Sequence, residues 1–123
     1  GLGDVYKRQG INGIPVANSI RDEQDPVVIS SSSYAYQVFS WLEQEGRSSK
    51  ISVQKLDNVG NKAWGEDGRV VCEYSNDQTE PSILTDERGG LWCAWTDRRE
   101  QGSAYIFSQH INGSGLPLLR RKV

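Results

Sequence analysis

The sequence has few residues of the kinds that carry out chemistry or bind polyanions. Its 123 residues include two cysteines and one histidine, His110, and the formal net charge is −2. No Cys, His or carboxylate cluster at metal-ligand spacing accompanies His110, so the sequence predicts no metal site and no cofactor. The absence of a basic excess argues against a nucleic-acid partner. No apolar run approaches the roughly 20 residues needed to span a bilayer, and no signal peptide is visible.

The two cysteines are predicted to be reduced. Cys72 and Cys93 fall on strands of different predicted units, and a disulfide requires Cα atoms within about 7 Å. The residues at the corresponding positions earlier in the chain are Ala17 and Phe39, so a disulfide would not recur along the chain. We expect both thiols to act as small apolar fillers.

What the chain does contain is a pattern that recurs after 55 residues. A one-residue slip inside the pattern also aligns Trp41 with Trp95. A fixed period near 50 residues is typical of arrays whose units cover one another's faces. The matched pairs are Gly10/Gly65, Gly13/Gly68, Asp22/Asp77, Pro26/Pro81, Gln54/Gln109 and Gly60/Gly115.

Each copy contains four short runs rich in β-branched and aromatic residues, with polar turns between them and no helix signal. Pro26 and Pro81 lack a backbone donor, which suits the first position of a strand. Polar hairpins are expected at 43–49 and 97–103. The predicted strands are 26–31, 36–42, 50–56 and 69–72 in the first copy, and 81–86, 91–96, 104–111 and 116–119 in the second.

Several runs are apolar at successive positions, as in Val27-Val28-Ile29. A sheet with one wet face would alternate, so both faces are expected to be covered. Radially stacked four-stranded sheets do this, which predicts an all-β fold and a partial β-propeller with antiparallel blades. Tandem immunoglobulin-like sandwiches are the alternative, but such a unit needs about seven strands in roughly 100 residues.

This layout divides the chain into an outer strand of a preceding blade at 10–17, a complete blade at 26–72 and a truncated second blade at 81–119. The strand in the first of these segments is expected at 14–17. Residues 1–9 have no counterpart in the pattern and resemble adapter sequence at the ends of reading frames assembled from environmental DNA. We expect them to be a non-native leader, and residues 120–123 to be a tail.

Several motifs resemble the repeats of large exported bacterial β-propeller proteins. These are Asp57–Gly68, Gln78–Ile83, Ala94–Arg98 and Gln109–Asn112. Such proteins are related in layout to sialidase-like propellers. The resemblance implies a non-enzymatic fragment of about two blades, an extracellular or cell-surface location, and a scaffold for a carbohydrate or protein partner. The remaining blades of the parent chain would be further partners.

The alternative is a segment of a sialidase-like glycoside hydrolase whose catalytic residues lie outside this chain. A glycosidase needs two carboxyl groups flanking the scissile bond. The candidates are expected in turns for ordinary reasons of solvation, and the adjacent Arg98 and Arg99 would point to opposite faces of an extended segment. Asp97 and Arg98 are predicted to form an exposed ion pair. No catalytic residue is predicted among the candidate carboxyls, Asp86, Glu87, Asp97 and Glu100.

Two further sets of residues are given structural roles. Trp41, Trp95, Ile51 and Ile106 are predicted to form blade cores, although exposed tryptophans could instead stack on sugars. A hairpin motif of the form S-x-D-x-G-x-x-W is approximated by Thr85, Glu87, Gly89 and Trp92, where it would brace a turn.

Three polar segments are predicted to be turns. Asp57–Gly60 and Glu66–Gly68 are acidic but lack the regular oxygen ligands of a dedicated calcium loop. Asn112-Gly113-Ser114 fits either a glycosylation acceptor or an ordinary turn.

Overall fold

A computed structural model of the chain describes residues 13–75, 77–100 and 102–118. These residues form seven β-strands and no helix, so the prediction of an all-β fold is confirmed. No helix that could cross a membrane is found in them. The predicted leader at 1–9 and tail at 120–123 lie outside the described residues.

The strands form two antiparallel sheets. The first sheet has the order β1-β2-β3-β4 and the second has the order β5-β6-β7, so every hydrogen-bonded neighbour is also the next strand in sequence. The strands are β1 (Asp22–Ser30), β2 (Tyr36–Glu45), β3 (Ser48–Asp57), β4 (Arg69–Val70), β5 (Gln78–Thr85), β6 (Leu91–Asp97) and β7 (Tyr105–Ile111).

The prolines lie inside strands and not at their first positions. β1 and β5 begin four and three residues earlier than predicted. Each contains a bulge that includes its proline, between Gln24 and Val27 and between Thr79 and Ser82. A bulge tolerates the missing donor of Pro26 or Pro81 because the ladder is already interrupted there. Asp25 and Glu80 precede the prolines with φ of 57° and 56°.

The hairpin predicted at 43–49 is much tighter than expected. β2 continues to Glu45 and β3 starts at Ser48, which leaves a two-residue turn in which Gly46 has a φ of 61°. Such turns favour residues that accept a positive φ, and their twist matches that of the flanking strands. The polar residues of the predicted loop therefore belong to paired strands.

Two predicted strands are not formed. Residues 14–17 contain no strand, although the Val16 carbonyl accepts a hydrogen bond from the Gln54 side chain at 3.3 Å. In the segment predicted as 116–119, pairing is limited to one bridge between Ile111 and Pro117, and Leu119 lies outside the described residues. A strand needs a continuous edge to pair with, and proline contributes no donor to one. The second sheet therefore has three strands.

One hydrophobic core is shared by both sheets. Strand pairing places Val38, Ile51 and Val53 on the inner face of the first sheet, and Ile83 and Trp95 on the facing surface of the second. Because one cluster includes side chains from both, neither sheet folds around a core of its own. The cluster consists of Tyr36, Val38, Leu42, Ile51, Val53, Trp64, Val71, Ile83, Leu91, Cys93, Trp95 and Ile111.

Backbone groups also join the sheets. Gln78 is completely buried, and its Oε1 accepts the Ile51 amide proton at 2.9 Å, while its Nε2 donates to the carbonyls of Cys72 and Ser75. The Ser49 hydroxyl donates to the Gln78 carbonyl at 2.8 Å. One glutamine thus satisfies donors and acceptors at the edge of both sheets, where an unpaired polar group would be costly.

Several local geometries occur twice, 55 residues apart. The Asp57 carboxylate accepts the amide protons of Val59 and Asn61, and the Asn112 side chain accepts those of Ser114 and Leu116. The bulges of β1 and β5 have the same spacing. So do the bridges Leu56–Lys62 and Ile111–Pro117.

The predicted core residues differ in burial. Trp41, Trp95 and Ile51 are buried, but Ile106 is 74% exposed, so its placement in the core is wrong for this chain. The reason is its side of the sheet. Ile106 pairs with Thr96 on the outer face of the second sheet, which the first sheet does not cover. Cys72 and Cys93 are free thiols, as predicted, and burial raises the pKa of Cys93 to about 12.

Candidate functional site

A group of titratable side chains lies at the end of the two sheets where the β1–β2 and β5–β6 turns meet, with His110 on the outer face of the second sheet. We call it the inter-sheet polar cluster, defined as Tyr36, Lys55, Asp86 and His110. Tyr36 ends the β1–β2 turn, Lys55 lies near the end of β3, Asp86 follows β5, and His110 is on β7. Each therefore comes from a different strand or turn, and packing of the two sheets assembles the group.

Asp86 is the centre of this cluster. Its Oδ1 accepts the amide protons of Arg88 at 2.7 Å and Gly90 at 2.8 Å, and its Oδ2 lies 2.7 Å from His110 Nε2. Partial burial acts to raise the pKa of Asp86. The hydrogen bonds from His110 and the two amides outweigh burial, so the pKa lies below its usual range. Asp86 therefore remains ionised and fixes the β5–β6 turn.

Lys55 extends from the first sheet to the turns of the second. Its ammonium donates to the carbonyls of Gly89 at 2.8 Å and Gly113 at 3.1 Å, and lies 5.4 Å from the centre of the Tyr36 ring. Burial lowers the pKa of Lys55. The Tyr36 hydroxyl donates to the Gly90 carbonyl at 3.1 Å, and burial raises its pKa. Both side chains are engaged in joining the sheets.

The hairpin motif residues lie beside the cluster. Thr85 donates a hydrogen bond to Glu87, and Glu87 also accepts the Ser32 hydroxyl at 2.7 Å and the Ser33 amide at 2.9 Å. These bonds, led by those from Thr85 and Ser32, lower the pKa of Glu87 to about 2. Glu87 thus joins the β5–β6 turn to the serine-rich β1–β2 turn.

The other two motif residues shape the same hairpin. Gly89 has a φ of 91°, a conformation that side chains rarely adopt. Trp92 stacks on His110 with ring centroids 4.0 Å apart and an interplanar angle of 15°. The geometry of Thr85, Glu87, Gly89 and Trp92 is that of a braced turn.

A second polar group lies at the opposite end of the second sheet. The completely buried Asp97 accepts from Trp95 Nε1 at 2.9 Å, from the Ser75 hydroxyl at 2.9 Å and from Arg99 Nη2 at 2.8 Å. The predicted exposed pair with Arg98 is therefore wrong. The carboxylate points inward with Trp95, and Arg99 folds back over it while stacking on Phe107. These hydrogen bonds, chiefly from Arg99, hold the pKa of Asp97 well below its usual range.

The first sheet has a related pair. Trp41 Nε1 donates to Glu43 Oε1 at 3.2 Å, as Trp95 Nε1 does to Asp97. Residues two apart on a strand share a face, so a carboxylate two positions after each tryptophan was a usable signal in the sequence. It was missed because the prediction paired Asp97 with the adjacent Arg98 instead.

Two open grooves adjoin the β2–β3 turn, and Ser48 lines both. One has a volume of about 460 Å³ and is crossed by the Arg21–Glu45 and Lys50–Glu73 ion pairs at 2.7 and 2.8 Å. The other, of about 480 Å³, is lined by Arg47, Ser48, Tyr74, Ser75, Asp77, Arg98 and Arg99. Tyr74 is highly exposed and stacks against Arg99. This second groove combines an aromatic face with polar groups, as sites for polar ligands do.

The candidate carboxyls at the two ends of β6 are too far apart to form a glycosidase pair with each other. Asp86 and Glu87 precede β6, whereas Asp97 ends it, and a seven-residue strand separates its ends by about 20 Å. That exceeds the 5–9.5 Å or so that flanks a glycosidic bond. Among residues 13–75, 77–100 and 102–118, no group of three or more His, Cys, Asp or Glu residues could hold a metal ion.

The acidic segments form turns, as expected. Asp57 closes its own turn, and its pKa is lowered by hydrogen bonds from Asn61, from the backbone first and the side chain second. Asn112 caps the equivalent turn. The Asp86–His110 pair, by contrast, could not be found in the sequence, because the two residues are 24 positions apart and meet only through the register of β5, β6 and β7.

The chain matches no protein-family model, no curated protein and no solved structure.

Proposed function

We propose that this chain is a non-enzymatic segment of a secreted or cell-surface β-propeller that acts as a scaffold for binding a carbohydrate or protein partner. The observation that carries the proposal is the packing of two successive antiparallel sheets face to face, with the same bulge and the same asparagine- or aspartate-capped turn 55 residues apart. Stacked, similar sheets are the building principle of propellers. The location outside the cell derives from the resemblance of the sequence motifs.

The roles of the polar side chains support a scaffold. Asp86, Glu87 and Asp97 each accept several hydrogen bonds from turns or from a neighbouring sheet, and Lys55 and Tyr36 donate to turn carbonyls. A catalytic acid or base needs a pKa near the working pH, whereas these three carboxyls have lowered values. Their positions fit the fixing of turns better than proton transfer.

The groove that contains Tyr74 is the best candidate for the ligand. It is open, polar and bounded by loops, which is where binding residues concentrate on rigid scaffolds. Tyr74 offers an apolar ring for stacking, while Arg47, Arg98 and Asp77 offer donors and acceptors for hydroxyl or carboxylate groups.

The proposal is tested by probing the purified chain on a printed glycan array and with a panel of fluorogenic glycosides. We expect retention on a subset of glycans, loss of that retention in Tyr74→Ala, and no hydrolysis. Val59→Ala, at an exposed turn on the other end of the first sheet, is the matched control. Hydrolysis that Asp86→Asn abolishes without changing the melting temperature would contradict the scaffold role, and absence of retention would contradict carbohydrate binding.

A further inference from the structure

The outer face of the second sheet is an apolar surface with no cover in the described residues. Strand pairing puts Leu84, Trp92 and Ile106 on this face, and their exposed fractions are 58%, 43% and 74%. Leu84 and Trp92 are directly paired, and Ile106 lies further along the same face, beyond Ala94 and Ser108. Large exposed apolar side chains that share one face mark an interaction surface more often than an ordinary wet face. We call it the free face of the second sheet.

The equivalent surface of the first sheet is the one that the second sheet covers. Ile51 precedes Ile106 by 55 residues, lies on the inner face of the first sheet and is completely buried. Val38, aligned with Trp92, is also completely buried there. The free face therefore has the same position in its sheet as an established interface.

The complementary half of that interface also occurs twice. In the second sheet, Ile83 and Trp95 face the first sheet, together with Val71 from the connecting segment. Their counterparts are Val28, Trp41 and Val16, on the outer face of the first sheet. Val28 is 54% exposed there, whereas Trp41 is already buried within the chain, so Val28 is the accessible part of this surface. An open groove of about 170 Å³ adjoins this surface, and Val16, Pro26, Phe39 and Trp41 are among the residues that line it.

From these two surfaces we infer that the free face of the second sheet docks on the outer face of the first sheet of a second copy of this chain, repeating the inter-sheet packing found within one copy. Residues of the two patches differ, so the contact is head-to-tail and does not close on itself at two subunits. Chains therefore associate into open oligomers or, if the rotation allows, into rings. The inference uses the same 55-residue correspondence as the proposed function, but it concerns self-association of this chain.

The test is sedimentation velocity over a wide range of protein concentration, with a charge placed on each face. Wild-type chain is expected to form species larger than a dimer as concentration rises. Ile106→Asp disrupts the free face, and Val28→Asp disrupts the complementary one, so each variant alone is expected to be monomeric. Both side chains are largely exposed, so the variants should fold, which circular dichroism and melting temperature verify.

Mixing the two variants distinguishes the geometry. Ile106→Asp keeps an intact first-sheet face and Val28→Asp keeps an intact free face, so an equimolar mixture is expected to form one-to-one dimers that do not grow. Val59→Asp is the control. The second sheet packs on the first within one copy, and Ser114, the counterpart of Val59, stays exposed there. A docked copy should therefore leave Val59 exposed, and the variant should associate like wild type.

Three results would overturn the inference: a wild-type chain that stays monomeric at the highest soluble concentration, variants that associate like wild type, or monomeric variants whose mixture forms no dimer. None of them bears on glycan retention, so failure of self-docking and failure of the scaffold proposal are separable.

Discussion

The same residue type has opposite surroundings in the two sheets. Ile51 and Ile106 lie 55 positions apart, each on the third strand of its sheet, yet Ile51 is completely buried and Ile106 is 74% exposed. The difference arises from the second sheet, which covers Ile51 and leaves its own equivalent face open. Burial in such stacked sheets is therefore decided by the neighbouring sheet and not by the strand itself.

The largest expected effect is at the centre of the shared core. Trp95→Ala removes a buried indole on which the two sheets pack, and deletion of a large buried aromatic costs about 3–5 kcal/mol. We expect this loss in the free energy of unfolding, measured by urea denaturation followed by circular dichroism. An unchanged denaturation midpoint would contradict the placement of Trp95 in the core.

The difference in burial between the two isoleucines is tested by the matched pair Ile51→Ala and Ile106→Ala. The first should destabilise the chain by about 2–5 kcal/mol because it leaves a cavity. The second should change stability by about 0.5 kcal/mol or less, as exposed substitutions do. The measurement is made at low protein concentration, so that self-association does not contribute. Equal costs at the two positions would show that the sheets are covered alike.

Ile51 and Ile106 also show how much of the fold could be predicted from the sequence. Strand runs and turns were predictable because they depend on local residue types. The covered face of the second sheet was not predictable. Side chains alternate between the two faces of a strand, and this alternation does not indicate which face has a neighbouring sheet. Residues 14–17 form no strand in this chain, because a strand requires a free edge to pair with. Gln78 and the Asp86–His110 pair act through long-range register that no local pattern encodes.

A smaller effect is expected at the opposite end of the second sheet. Asp97→Asn replaces a buried carboxylate that accepts from Arg99, Trp95 and Ser75, and hydrogen bonds to charged groups contribute about 1.5–3 kcal/mol each. We expect a loss of about 1–3 kcal/mol at pH 7, because the amide retains some of these bonds.

The same residue predicts a pH dependence. The pKa of Asp97 is lower in the folded chain than its ordinary value, so the ionised carboxylate stabilises the fold above about pH 4. That contribution is lost as the pH falls through the folded pKa. Urea titrations from pH 7 downward should show a shallower loss below pH 4 in Asp97→Asn than in wild type. Parallel curves would mean that Asp97 does not contribute to acid sensitivity.

The smallest effect tests the similarity of the turns. Asp57→Ala and Asn112→Ala each remove the acceptor of two backbone amide protons. We expect small losses of stability that are similar in the two variants, measured by thermal and urea unfolding. A clear inequality would indicate that one turn supports packing that the other does not.

The most direct test of a core shared by both sheets is native-state hydrogen exchange at groups that bond across them. These are the Ile51 amide, which donates to Gln78 Oε1 at 2.9 Å, and the Trp64 indole, which donates to the Gly113 carbonyl at 3.1 Å. If the sheets unfold together, both protons and the β6 amides should exchange with one common opening free energy, equal to that of global unfolding. Rapid exchange of the two protons, or separate opening free energies for the two sheets, would contradict the shared core.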